Sequence, residues 1–163
     1  MADEKELTIT RTFDAPREVV WKAWTDTDMF MQWWGPKDFT APVSKIDLRV
    51  GGEYFSCMRA PDGQDFCSKG VYREIIEQKL LVMTDSFADK EGNKVSATHY
   101  GMSSSFPMEM QIMVKFEEEG DKTKFTLKHS DVKNLSETEL NDMTQGWNES
   151  LDKLAEYLAK VKI

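Results

Sequence analysis

The sequence SETELNDMTQGWNESLDKLAEYLAKV, at residues 136–161, decides the fold. Its apolar residues recur at steps of three or four, the spacing that places them on one face of an α-helix. These residues are Leu140, Met143, Trp147, Leu151, Leu154, Leu158 and Val161. Ser136 and Glu139 have the spacing of a capping box, which predicts the start of the helix. We therefore expect an amphipathic helix of roughly 37 Å, long enough to cross a whole sheet.

Gly146 lies inside this helix, where glycine costs roughly 1 kcal/mol relative to alanine. The close approach of another backbone is one reason for a glycine at such a position. We expect Gly146 and Trp147 to mark the point where the helix passes closest to the sheet.

The residues upstream of the helix predict an antiparallel sheet with two short helices near its start. Residues 7–13 alternate between apolar side chains and polar ones, mostly threonine, as in a half-buried strand. Residues 16–25 and 26–34 have helical patterns. Short β runs and turns follow over residues 39–130, so we expect six or seven strands. The fold class is α+β, with residues 1–163 forming one domain.

Composition and charge exclude several classes of partner. The net charge of −8 argues against nucleic acids, whose binding depends on clustered Lys and Arg. No apolar run approaches the roughly 20 residues of a membrane span, so membrane insertion is not expected. Two cysteines and no secretory leader favour a reducing compartment, and we expect the protein in the cytoplasm.

Cys57 and Cys67 flank a hairpin turn at Asp62-Gly63, and the length of the loop decides whether they meet. With a two-residue loop the thiols point to opposite faces of the hairpin. With a three-residue bulged loop they become a direct cross-strand pair. We favour two unrelated reduced thiols.

Residues 88–107 have no hydrophobic period and are rich in Gly and Ser. Connections of this length are uncommon in compact domains and are usually functional or disordered. The segment is expected to be either a mobile flap or an ordered lid.

The order of elements, a strand, two helices, antiparallel strands and a long helix, resembles the helix-grip fold of the START and birch-pollen-allergen superfamily (SRPBCC). Short strings also resemble the activator-of-heat-shock-chaperone-ATPase homologue family in its single-domain form. They are VWKAWT at 20–25, WWGP at 33–36, GG at 51–52, PDG at 61–63, GVY at 70–72 and GW at 146–147.

This resemblance implies a curved antiparallel sheet wrapped around the C-terminal helix, with an apolar cavity between them. It implies no shared reaction. The family takes its name from two-domain co-chaperones that stimulate a heat-shock chaperone, which suggests a link to the stress response. Their N-terminal chaperone-binding domain is not expected here, because the helix-grip unit uses the whole chain. Residues 88–107 are longer than the typical connection in the family and are expected to cover one mouth of the cavity.

No constellation of catalytic or metal-binding residues is visible. His129 is expected to be a satisfied polar residue at the end of a strand, and His99 an exposed residue of the long loop. No spacing typical of zinc ligands occurs, so no metal and no cofactor are expected. We therefore predict that the protein is not an enzyme.

Large aromatic and methionine side chains are the informative group, because they fill either a core or the wall of a ligand cavity. Trp33 and Trp34 lie about 100° apart around a helix, so we expect one to pack against the sheet and the other to border the cavity. The candidates for the cavity wall are Trp24, Trp33, Trp34, Tyr54, Met58, Met110, Ile112, Trp147 and Leu151. The alternative is that most of them simply fill the core.

Three functions follow from these features, in order of preference. The first is the binding of a small hydrophobic or amphipathic ligand between the long helix and the sheet, without covalent chemistry. The second is a chaperone-associated or dimeric interaction module that uses exposed apolar residues such as Phe55. The third is a cyclase or hydrolase, which would need a polar cluster inside the cavity.

Overall fold

A computed structural model describes residues 6–132 and 134–161. Its strands form one sheet in the order β1-β7-β6-β5-β4-β3-β2, and all neighbours are antiparallel. The strands are β1 (Leu7–Phe13), β2 (Thr40–Ile46), β3 (Glu53–Arg59), β4 (Asp65–Ile76), β5 (Leu80–Ala88), β6 (Met110–Glu119) and β7 (Lys122–Ser130). The curled seven-stranded sheet and the helices confirm the predicted α+β helix-grip fold.

Two short helices connect β1 to β2, the two edge strands of the sheet. They are α1 (Arg17–Thr25) and α2 (Thr27–Met31). Asp26 caps the second helix, because its Oδ1 accepts a hydrogen bond from the Met29 backbone N–H at 3.0 Å. The apolar face of α1 is buried and packs against β6 and β7.

The long helix α3 (Glu137–Lys160) begins with the predicted capping box. Ser136 Oγ accepts from the Glu139 N–H at 3.1 Å, and Glu139 Oε1 accepts from the Ser136 N–H at 2.8 Å. The C-terminal half of the helix carries fully buried leucines, among them Leu151 and Leu154. This half packs into the main core and contacts β1 and α1. The helix is therefore held against the sheet mainly by its C-terminal half.

The expectation for Gly146 was wrong. A Cβ added at this glycine would meet only the Pro36 Cγ, at 3.8 Å, which is ordinary van der Waals contact. No backbone approaches it because the N-terminal half of α3 stands away from the sheet and borders a cavity.

Cys57 and Cys67 lie directly opposite each other in the β3–β4 hairpin and form a disulfide. The expectation of two unrelated thiols was therefore wrong. The reason is the loop, because Ala60 and Gln64 still pair through a backbone hydrogen bond of 2.9 Å and leave only residues 61–63 as the turn. This is the three-residue alternative, which sets the two cysteines in register. Both side chains lie on the outer face of the sheet, in a small cluster with Ala88.

Residues 89–109 connect β5 to β6 and include a 3₁₀ turn at Ala97–Tyr100. The Tyr100 hydroxyl bonds to two neighbouring strands: it donates to the Ala88 carbonyl of β5 and accepts from the Cys67 N–H of β4. The Phe106 ring meets the Phe87 ring edge-on, with centroids 6.0 Å apart. These contacts hold the segment against β4 and β5, and we call residues 89–109 the lid segment.

Candidate functional site

A cavity of about 300 Å³ lies between the N-terminal half of α3, the inner face of the sheet and the lid segment 89–109. About 10–15 Å³ of such space holds one water, so the cavity has room for many waters or for a small organic molecule. Most of its wall is aromatic, methionine or proline side chain. The apolar lining residues are Trp34, Pro36, Phe39, Met58, Phe66, Phe87, Met102, Phe106, Met110, Met143 and Trp147.

The wall between α2 and β2 is held in place by Lys153 of α3. Its Nζ donates to the carbonyl oxygens of Gly35, Pro36 and Phe39 at 3.0, 3.2 and 2.9 Å. Burial lowers the pKa of Lys153, while Asp38 opposes that shift. The lysine therefore links α3 to the loop between α2 and β2. These hydrogen bonds fix the position of Pro36 and Phe39 in the cavity wall.

A polar cluster formed by Tyr54, Asp85 and His129 adjoins the cavity, which Asp85 and His129 line. The Tyr54 hydroxyl lies 2.9 Å from the Thr84 carbonyl oxygen and 3.1 Å from Asp85 Oδ1. Asp85 Oδ2 lies 3.4 Å from His129 Nε2, within ion-pair distance but without hydrogen-bond geometry. Desolvation by burial, followed by the neighbouring Asp85, raises the pKa of Tyr54 well above its usual value. Three different strands thus bring three ionisable side chains together.

Gly70 on β4 makes this arrangement sterically feasible. It lies opposite Tyr54 in the β3–β4 ladder, and a Cβ there would come within 2.5 Å of Tyr54 Cε2 and 1.9 Å of the Thr84 oxygen. Because glycine has no side chain, the Tyr54 ring can lie across β4 and reach β5 with its hydroxyl.

His129 was expected to be satisfied, and that expectation was wrong. Its side chain is only 2% exposed, and neither ring nitrogen has a hydrogen-bond partner among the described residues. The alternation of side chains along the two strands could have predicted that His129 and Asp85 face inward. His129 shares the inward parity of Phe125 and Leu127 on β7, and Asp85 shares that of Met83 on β5.

The candidate wall residues fall into three groups. Trp34, Met58, Met110 and Trp147 line the main cavity. Trp24, Tyr54 and Ile112, together with Trp34 and Trp147, surround a separate void of about 20 Å³, which is close to the size of one water probe. Trp33 and Leu151 are fully buried in the core, and Trp33 Nε1 donates to the Ala23 carbonyl at 2.9 Å. The adjacent tryptophans are thus divided between the core and the cavity wall.

No helix within residues 6–132 and 134–161 is long and apolar enough to cross a membrane. No group of three or more His, Cys, Asp or Glu in the same residues is placed to hold a metal ion.

A family model described as "Activator of Hsp90 ATPase homolog 1-like protein" (AHSA1) matches residues 14–159. The chain belongs to this family. This confirms the resemblance inferred from the short strings. No curated protein matches the sequence.

Many solved structures share the AHSA1-like fold. The chain is similar to a protein from Nitrosomonas europaea at 22% identity and a TM-score of 0.78, covering 98% of this chain and 97% of that one. A protein from Arthrobacter aurescens has 23% identity and a TM-score of 0.80, with coverages of 96% and 87%. The AHSA1 protein from Silicibacter pomeroyi has 23% identity and a TM-score of 0.76, with coverages of 95% and 98%. At these identities the likeness establishes the fold alone.

Proposed function

We propose that this AHSA1-like protein binds a small apolar or amphipathic molecule in the main cavity, without covalent chemistry. The observation that carries the proposal is the cavity of about 300 Å³ with its aromatic and methionine wall. Ligand pockets start at about this volume and combine an apolar lining with a few polar groups. The helix-grip fold supports the proposal, because it commonly binds hydrophobic ligands.

Binding can be measured by native mass spectrometry and thermal unfolding with a panel of small molecules, namely octane, naphthalene, 1-octanol and 2-naphthol. We expect a one-to-one complex with at least one of them. A ligand at 100 times its Kd adds about 2.7 kcal/mol of stability, which raises the Tm by roughly 5–11 °C at this chain length. A panel without any complex and without any shift at 1 mM would overturn the proposal.

The polar cluster gives the enzyme alternative its first structural support, but its geometry favours binding. A general base must reach the proton that it removes, at about 2.6–3.2 Å. Both nitrogens of His129 are buried in the wall and have no open path to a ligand in the cavity. We therefore assign the cluster to recognition rather than to cyclase or hydrolase chemistry. Turnover that is lost in His129→Gln would contradict this assignment.

The interaction-module alternative receives less support. Phe55 was expected as an exposed anchor on the outer face of the sheet, but it is half-buried and packs against the disulfide. A chaperone or a second copy of the chain would need another surface. Sedimentation at high concentration and a pull-down with the purified chaperone test these two partners.

We also propose that the protein works in the cytoplasm. Most cysteines are reduced there, but Cys57 and Cys67 are only 4% and 1% exposed, which shields their bond from reductants. Alkylation of free thiols in intact cells, followed by mass spectrometry, tests the location and the disulfide together. We expect the protein in the cytoplasmic fraction, with both cysteines protected from alkylation. Recovery of the protein in another fraction would contradict the proposed location.

A further inference from the structure

The head group that the cavity accepts can be inferred from the charges in its wall. Asp85 is the one carboxylate among the described lining residues, and neither a lysine nor an arginine lines the cavity beside it. Its side chain is 21% exposed, whereas the neighbouring His129 is 2% exposed. Asp85 is therefore the charged group of the wall that a bound molecule can reach.

Asp85 retains capacity to accept hydrogen bonds. Its Oδ1 lies 3.1 Å from the Tyr54 hydroxyl, and Oδ2 has no partner with hydrogen-bond geometry. A carboxylate offers about four lone-pair sites, so most of them are left for a ligand.

The His129 ring beside Asp85 also lacks a hydrogen bond to the described residues. Buried polar groups in a finished core are nearly always hydrogen-bonded. Because both ring nitrogens are buried, Asp85 is the member of this pair that a ligand can meet.

We infer that the cavity selects an apolar molecule carrying one hydrogen-bond-donating head group, a hydroxyl or an amine, that binds Asp85. This inference rests on the proposed function and adds the chemical class of the ligand. A ligand carboxylate would place a second negative charge beside Asp85 in a poorly solvated site that neither a lysine nor an arginine lines, which is unfavourable.

Three probes with the same eight-carbon chain separate the head groups: octylamine, 1-octanol and octanoate, titrated calorimetrically at pH 7 in 150 mM salt. Hydrogen bonds to a charged acceptor are roughly twice as strong as neutral ones. We expect octylamine and 1-octanol each to bind at least tenfold tighter than octanoate. Equal affinities, or tightest binding of octanoate, would overturn this inference while leaving the proposed function intact. Binding of no probe would overturn both.

The Asp85→Asn variant tests whether Asp85 causes the preference. We expect octylamine to bind at least tenfold more weakly to it, and octanoate to bind as well as or better than to the wild type. Asp142→Asn is the matched control, since it removes the same charge from the exposed surface of α3. It should leave all three affinities within twofold of the wild type. An equal loss in the two variants would assign the preference to the overall negative charge and overturn the inference. Should Asp85→Asn fail to fold, the head-group series with the wild type still decides.

Discussion

The Gly146→Leu substitution is expected to stabilise the protein and to abolish ligand binding at the same time. Gly146 borders the cavity on α3, and the nearest atom to an added Cβ is the Pro36 Cγ at 3.8 Å. A leucine there would point into free space. Its three carbon atoms beyond Cβ would occupy part of the cavity of about 300 Å³ and take the place of a ligand there.

The magnitude follows from three contributions. Replacing glycine by leucine inside a helix gains about 0.8 kcal/mol. Burial of the leucine side chain adds about 1.5–3 kcal/mol, and loss of rotamer freedom removes about 0.5–1 kcal/mol. The free energy of unfolding should therefore rise by about 1.5–3 kcal/mol, which corresponds to a Tm increase of roughly 3–12 °C.

Urea titrations followed by circular dichroism measure the stability, and calorimetry with 1-octanol measures the binding. Ala155→Gly, at an exposed site of the same helix, calibrates the cost of glycine and should lose about 1 kcal/mol without changing affinity. If Gly146 were packed tightly, leucine would instead destabilise by about 1–3 kcal/mol. A loss of stability of that size, or unchanged binding of 1-octanol, would refute the reasoning.

Three further predictions concern the sheet. Gly70→Ala should lower the free energy of unfolding by about 2–4 kcal/mol in urea titrations, because its Cβ would lie 1.9 Å from the Thr84 carbonyl oxygen. Replacing both Cys57 and Cys67 with alanine should lower it by about 2.7 kcal/mol, the loop entropy for a sequence separation of 10. The pKa of Tyr54 is raised above 10.0 in the folded state, so its contribution to stability is complete below pH 10 and is lost as the pH rises further. Stability of Tyr54→Phe should therefore fall less steeply above pH 10 than that of the wild type.

Each of these expectations has a clear contrary result. A Gly70→Ala protein within 0.5 kcal/mol of the wild type would show that the strands do not approach as closely as described. A double-cysteine variant as stable as the oxidised wild type would speak against the cross-strand bond. Parallel stability curves above pH 10 would mean that Tyr54 titrates normally.

Periodicity predicted the elements that carry one apolar face along their whole length. The stripe and capping box of α3 predicted its start at Ser136 and its extent, because the spacing of the apolar residues indicates a helix whatever lies opposite that face. The alternation in β1 gave a strand for the same reason.

Features that depend on the spacing between elements were not predictable in this way. The pairing of Cys57 with Cys67 depended on one residue of loop length. The role of Gly146 depended on a gap between helix and sheet, which a one-dimensional pattern does not report. Asp85 and His129 stood on inward positions of two strands, but only the fold brings those strands within ion-pair distance.

The Cys57–Cys67 bond has a consequence for how the ligand preference of such a protein can change over evolution. Met58 and Phe66, the next cross-strand pair, face the cavity on the opposite side of the same hairpin. A one-residue slip of either strand would turn its cavity residue outward and its cysteine position into the cavity. The covalent link opposes that slip. Side chains at positions 58 and 66 can therefore change, and with them the shape of the cavity, while the disulfide keeps the two strands in register.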